Sequence, residues 1–145
     1  MRSGRLRRLS PSTVLLVAEA LVLAVTIELA LRSMPFVQLV ARLQRLDRLA
    51  PARSGRVDVA RLQRVGVAVC RLLPLRVTCL RESLVFLALL RRRGQPARLQ
   101  IGVSKASGNL AAHAWVDGAG SGLAEESSEF FPLTPICTQT VDRRP

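Results

Sequence analysis

Two residues of this chain have the types and the setting of the nucleophile and base of a cysteine hydrolase. Cys79 stands at the predicted start of a helix, where unpaired N–H groups and the positive end of the helix dipole favour a thiolate and could stabilise an oxyanion. His113, the only histidine of the chain, lies in a predicted strand. Their separation in sequence is no obstacle, because the fold brings such pairs together. The alternatives are a buried, inert cysteine and a structural histidine.

A third, orienting carboxylate would complete this set, because it holds the imidazole in the orientation that proton transfer needs. The candidates downstream of the histidine are Asp117, Glu125 and Glu126. Asp117 stands at a predicted turn, where aspartate is common for conformational reasons alone. Glu125 could instead belong to a solvated acidic tail.

The other two cysteines, Cys70 and Cys137, show no spacing that predicts a disulfide or a metal site. Three cysteines without a Cys-x-x-Cys pair do not form a disulfide framework, and a single histidine gives little support to zinc. We therefore expect no metal, no cofactor and a reducing, cytoplasmic setting.

The positive charge of the chain is compatible with several partners. The formal net charge is +12, and Lys105 is the only lysine, so arginine supplies nearly all of the positive charge. Nucleic acid, an anionic membrane and an acidic peptide are candidate partners, although solvated arginines explain the charge without any partner. One tryptophan, four phenylalanines and no tyrosine are too few aromatics for base-stacking surfaces. We therefore expect no nucleic acid.

Four helices are predicted in the first two thirds of the chain. Ser10 and Pro11 are typical of a helix start, and the three arginines before Gly94 are typical of a helix end. Proline and capping residues delimit the others. The predicted ranges are Pro11 to about Met34, Val37 to Leu49, Asp58 to about Leu73, and Cys79 to Gly94.

The first predicted helix also has the composition of a membrane span. Thr13 to Leu31 is almost wholly apolar and follows four arginines within the first eight residues. Glu19 and Glu28 interrupt it, and each charge at a bilayer centre costs about 2.5 kcal/mol or more. The small-residue cleavage pattern of a signal peptide is missing. We therefore expect a largely buried helix and leave open a peripheral contact with a membrane or a partner protein.

After the fourth helix the apolar pattern changes to a period of two, which is typical of strands. It predicts a strand over Arg98–Val103, a second over Ala111–Val116 and a short third over Gly122–Glu125. The tail from about Glu126 is predicted to be irregular. Helices followed by a small antiparallel sheet indicate the α+β class.

Several motifs occur in a specific order. Cys79 opens a leucine-rich helix that ends in Arg-Arg-Arg-Gly at 91–94, and Ile-Gly-Val at 101–103 precedes His-Ala-Trp-Val at 113–116. Over roughly residues 60–125 this order resembles the transglutaminase-like core of lasso-peptide leader peptidases. That family usually has an aspartate twelve positions after the histidine, and Glu125 stands there in this chain. The resemblance implies Cys79, His113 and Glu125 as the catalytic residues, with Asp117 as the alternative to Glu125.

The resemblance further implies a transglutaminase-like, papain-like cysteine protease core over residues 57–145. A helical region, 1–56, precedes this core within one compact domain. The implied function is removal of the leader peptide from a lasso-peptide precursor, together with a separate leader-binding protein and an ATP-dependent lasso cyclase. Two alternatives stay open. Another transglutaminase-like acyl transferase would use the same cysteine and histidine, and a non-catalytic, membrane-associated adaptor would use only the basic helical N-terminus.

Overall fold

The computed structural model describes residues 10–46, 57–74, 78–106, 109–118 and 131–133. Within these ranges four helices precede a three-stranded antiparallel sheet, so the predicted α+β class is confirmed. The helices are α1 (Pro11–Ser33), α2 (Phe36–Gln44), α3 (Val59–Leu72) and α4 (Cys79–Arg91). The strands are β1 (Ala97–Ala106), β2 (Asn109–Gly118) and β3 (Phe131–Leu133).

Helix ends follow the local signals in the sequence for three of the four helices. The Asp58 carboxylate accepts a hydrogen bond from the Arg61 N–H and so caps α3. After α4, Gly94 adopts φ 68°, a left-handed conformation that glycine adopts at little cost. The prediction for α2 was wrong at its end, because the helix stops at Gln44 and the next two residues form a turn and a 3-10 segment.

Helix α4 lies at the centre of the core. Its residues from Ser83 to Leu90 are all buried, because α1, α2 and α3 cover one side of it and strands β1 and β2 cover the other. A helix that is apolar on nearly all sides needs such coverage. One continuous cluster of buried side chains therefore joins the N-terminal helices to the sheet.

Two ion-pair sites fasten α1 to the two ends of α4. Glu19 binds Arg92 and Arg93 at the end of α4, with distances of 2.7 and 2.8 Å. Glu28 binds Arg81 near the start of α4 at 2.7 Å. Since the earlier residue of α1 meets the later residues of α4, the two helices run antiparallel.

Only one face of α1 is buried, so the expectation of a largely buried helix was wrong in extent. The helix is long and apolar enough to cross a membrane, and 33% of its most apolar 18-residue stretch is buried. The buried face contains Leu16, Ala20, Ala24, Ile27, Glu28 and Ala30. The opposite face carries large apolar side chains that no described residue covers.

The sheet has the strand order β2-β1-β3. Both long strands extend beyond their predicted ends: Asp117 and Gly118, predicted as a turn, continue β2 and pair with Arg98 and Ala97. The prediction of an irregular tail was wrong at Phe131–Leu133, which pairs with β1. The predicted strand over 122–125 lies outside the described residues.

Candidate active site

Cys79 and His113 line the same cavity, which has a volume of about 100 Å³. The cavity is lined by residues of α3, by the first two turns of α4 and by four consecutive residues of β2, 113–116. Side chains of consecutive strand residues point to opposite faces of a sheet. The cavity therefore lies along the edge of β2 rather than on one face of the sheet, and α4 closes it from the side.

Cys79 is the first residue of α4 and is half-buried. Thr78 caps the helix: its hydroxyl accepts a hydrogen bond from the Arg81 N–H at 3.3 Å, and its carbonyl accepts one from the Glu82 N–H at 3.1 Å. The first N–H groups of a helix have no intrahelical acceptor. Those of Cys79 and Leu80 are therefore placed to donate to a negatively charged oxygen beside the thiol.

The position of His113 follows from three features of β2 and its neighbours. The Ser83 hydroxyl of α4 donates a buried hydrogen bond of 2.9 Å to the Ala114 carbonyl, which fixes the strand against the helix one turn after Cys79. The Trp115 ring lies nearly parallel to the imidazole, with an angle of 16° and 6.2 Å between ring centroids. The cross-strand partner of His113 is Gly102, which places no side chain beside the imidazole.

The structure does not bring Asp117 to the imidazole. Asp117 is exposed, does not line the cavity, and follows His113 by four residues in the same strand. Such residues have Cα atoms about 13 Å apart. Their side chains stand roughly perpendicular to the strand, so a direct hydrogen bond of about 3 Å is out of reach. Glu125 and Glu126 lie outside the described residues.

Three polar residues that line the cavity, Gln63, Glu82 and Ser83, were missed by the sequence analysis. Gln63 of α3 is half-buried and lines the cavity. Glu82 also lines it and forms an ion pair of 3.8 Å with Arg71. Gln63 lies in the helix before the one that Cys79 opens, so only the packing of α3 on α4 brings it to the site. No local motif signals this contact.

Cys70 lies in a different environment from Cys79. It is 6% exposed in the core, and burial raises the pKa of its thiol, with the nearby Glu82 carboxylate adding to the effect. A thiol with a raised pKa is a poor nucleophile at neutral pH. Cys137 lies outside the described residues. Among the described residues, no three His, Cys, Asp or Glu side chains cluster as metal ligands.

The arrangement has the parts that acyl transfer needs. A thiol at a helix start lies in one cavity with an imidazole, and the first N–H groups of α4 are available as donors for an oxyanion. The sequence model of one protein family, the transglutaminase-like superfamily, matches residues 21–138 of the chain. No curated protein and no solved structure matches this chain.

Proposed function

This chain belongs to the transglutaminase-like superfamily, and we propose that it is a cysteine peptidase that removes the leader peptide from a lasso-peptide precursor. Members of the superfamily are generally thiol-dependent peptidases or acyl transferases. The observation that carries the proposal is the shared cavity of Cys79 and His113 at the start of α4. The lasso-peptide substrate is supported by the motif order from Cys79 to His-Ala-Trp-Val at 113–116.

In the proposed reaction, the Cys79 sulfur attacks the carbonyl carbon of the last leader residue while His113 accepts the thiol proton. The negative oxygen of the tetrahedral intermediate accepts hydrogen bonds from the N–H groups of Cys79 and Leu80 and from the amide of Gln63. The C–N bond then breaks, and the imidazolium protonates the departing amine of the core peptide. His113 then accepts a proton from water, which hydrolyses the remaining thioester. The leaving Cys79 thiolate takes this proton back from the imidazolium.

We propose two protein partners for this step. A separate leader-binding protein would hold the precursor beside Cys79, and an ATP-dependent cyclase would consume the newly formed core amine. A disordered precursor loses conformational entropy on binding, and a cavity of about 100 Å³ buries little surface to offset that loss. A tethering partner would raise the effective concentration of the scissile bond to the mM range.

The direct test is cleavage of a precursor by purified protein, with and without the leader-binding protein, followed by mass spectrometry. Cys79→Ala and His113→Ala should each abolish cleavage while the fold is retained. A product with an amine attached to the leader, in place of a free carboxylate, would identify an acyl transferase instead. Cleavage at the same rate in Cys79→Ala would contradict any role of this thiol.

The third catalytic residue is tested by a matched pair of variants. We propose Glu125, so Glu125→Ala should lower kcat more than Asp117→Ala, because Asp117 lies too far along β2 to contact the imidazole. An orienting carboxylate assists the base without taking part in bond making, so Glu125→Ala should retain more activity than His113→Ala. A larger loss in Asp117→Ala, with the fold intact, would contradict the assignment.

A further inference from the structure

A row of large apolar side chains covers the outer face of α1. Val14, Leu15, Val22, Val25 and Leu29 are 53, 72, 66, 45 and 61% exposed. Their spacing of three, four and seven residues places them on one side of the helix. The row is about 22 Å long at 1.5 Å per residue. We call these five residues the α1 stripe.

The polar groups on this side of α1 are already hydrogen-bonded within the helix. The Thr26 hydroxyl donates to the Val22 carbonyl at 2.7 Å, and the Ser33 hydroxyl donates to the Leu29 carbonyl at 2.8 Å. A hydroxyl that donates its proton in this way enters apolar surroundings without leaving an unsatisfied donor. The five side chains of the α1 stripe are themselves hydrocarbon and offer no hydrogen bond.

Basic residues flank this apolar surface. Arg32 ends it, with a side chain that is 69% exposed, and the sequence before α1 carries arginines at positions 2, 5, 7 and 8. Beside the first turn of α1, a groove of about 280 Å³ between α1 and α3 combines Val17 and Leu72 with Arg61 and Arg64. An apolar row with cationic groups at its edges is the pattern of a helix that lies in an anionic membrane interface.

We infer that the α1 stripe docks the protein peripherally on an anionic lipid bilayer, with α1 lying along the surface and the arginines of the α1–α3 groove beside its first turns. The ion pairs of Glu19 and Glu28 with α4 hold α1 in the folded domain, so the helix lies on the bilayer and does not cross it. If the stripes of two copies of the chain paired, the basic residues at the ends of one stripe would lie against those of the other and repel them. A protein interface normally includes about one hydrogen bond per 100–200 Å², and this stripe offers none.

The test is flotation of the full chain with phosphatidylcholine vesicles, with and without phosphatidylglycerol. Binding should require phosphatidylglycerol and should weaken as salt increases. Replacing Leu15, Val22 and Leu29 together by glutamine should weaken binding by roughly 100-fold, because three exposed apolar side chains no longer enter the bilayer. Glutamine is a good helix former, so far-ultraviolet circular dichroism should be unchanged. Val37→Gln on α2, which removes another exposed apolar side chain, is the matched control and should bind normally.

A second pair of variants separates the charge contribution from the apolar one. Arg64→Gln in the groove should weaken binding about fivefold, which corresponds to about 1 kcal/mol per basic residue at an anionic surface. Arg98→Gln on the sheet removes the same charge from an exposed position of β1 and should leave binding unchanged. Equal binding to neutral and anionic vesicles would overturn the proposal. The proposal would also be overturned if the chain bound neither kind of vesicle. It would likewise be overturned if the chain formed a dimer in solution that the triple variant abolished. Vesicle binding requires no peptidase activity, so its outcome is independent of the proposed function.

Discussion

The ion pair between Glu28 and Arg81 fastens the start of the helix that carries Cys79, so its loss should affect both stability and turnover. Glu28 is buried, with a side chain 8% exposed, and it binds Arg81 of α4 and Arg32 of its own helix. Arg81 follows Cys79 by only two residues. The variant Glu28→Gln keeps the shape of the side chain and removes its charge.

The expected cost follows from the burial of the two partners. Removing one member of a buried ion pair costs about 3–5 kcal/mol, because the other charge is left uncompensated. Arg81 keeps 24% of its side chain exposed, and glutamine still offers one oxygen acceptor, so water and the amide recover part of this loss. We therefore expect Glu28→Gln to lower the free energy of unfolding by about 2–3 kcal/mol, or Tm by roughly 5–10 °C.

Glu19→Gln is the matched control, because it removes the same charge from the same helix at the other end of α4. Thermal and urea unfolding of both variants gives their stabilities, and cleavage kinetics are measured well below both transitions. Glu28→Gln should lower kcat because the start of α4 is less firmly held, whereas Glu19→Gln should leave kcat near its original value. A loss of stability below about 0.5 kcal/mol for Glu28→Gln, or equal kcat in the two variants, would refute the reasoning.

Three further predictions concern single residues. In steady-state assays, Gln63→Ala should lower kcat by roughly 10²-fold with little change in KM, since an oxyanion donor acts mainly in the transition state. A rise in KM of the same size, with kcat unchanged, would contradict this role. Burial by itself would raise the pKa of Glu19, but the hydrogen bonds and charges of the arginines bound to it outweigh burial and hold the pKa below its usual value of 4.5. This contribution to stability is present above pH 4.5 and is lost as the pH falls through the lower folded pKa. Below about pH 4.5, acid should therefore destabilise Glu19→Gln less than the original chain in unfolding curves. Iodoacetamide should label Cys79 before Cys70, whose pKa burial raises, and peptide mapping that finds the opposite order would contradict the assignment of the nucleophile.

Features with local causes were predictable from the sequence. The Asp58 cap, the start of α4 at Cys79 and the left-handed Gly94 each depend on neighbouring residues. The ion pair between Glu28 and Arg32 depends on helical spacing alone, and the structure contains it. Such signals fix the helices and place the thiol at a helix start.

Features with distant causes were not predictable in this way. Strand β3 has three residues, too few to show alternation, and its pairing with β1 depends on a contact between segments far apart in sequence. Gln63 reaches the cavity only through the packing of α3 on α4. Arg81 appears in the sequence as one of many arginines, and nothing local selects it as the partner of Glu28.

The two acidic residues of α1 explain how one helix has both a domain-facing and an outward-facing role. In the sequence, Glu19 and Glu28 count against a membrane span because of the cost of their charges. In the structure, Glu28 binds Arg81 of α4, and Glu19 binds Arg92 and Arg93 directly after α4, so these charges hold the helix onto the domain. The apolar side chains that remain outside then lie together on the α1 stripe. The same two residues thus hold one face of α1 on the domain and leave its other face available for the bilayer contact that we propose.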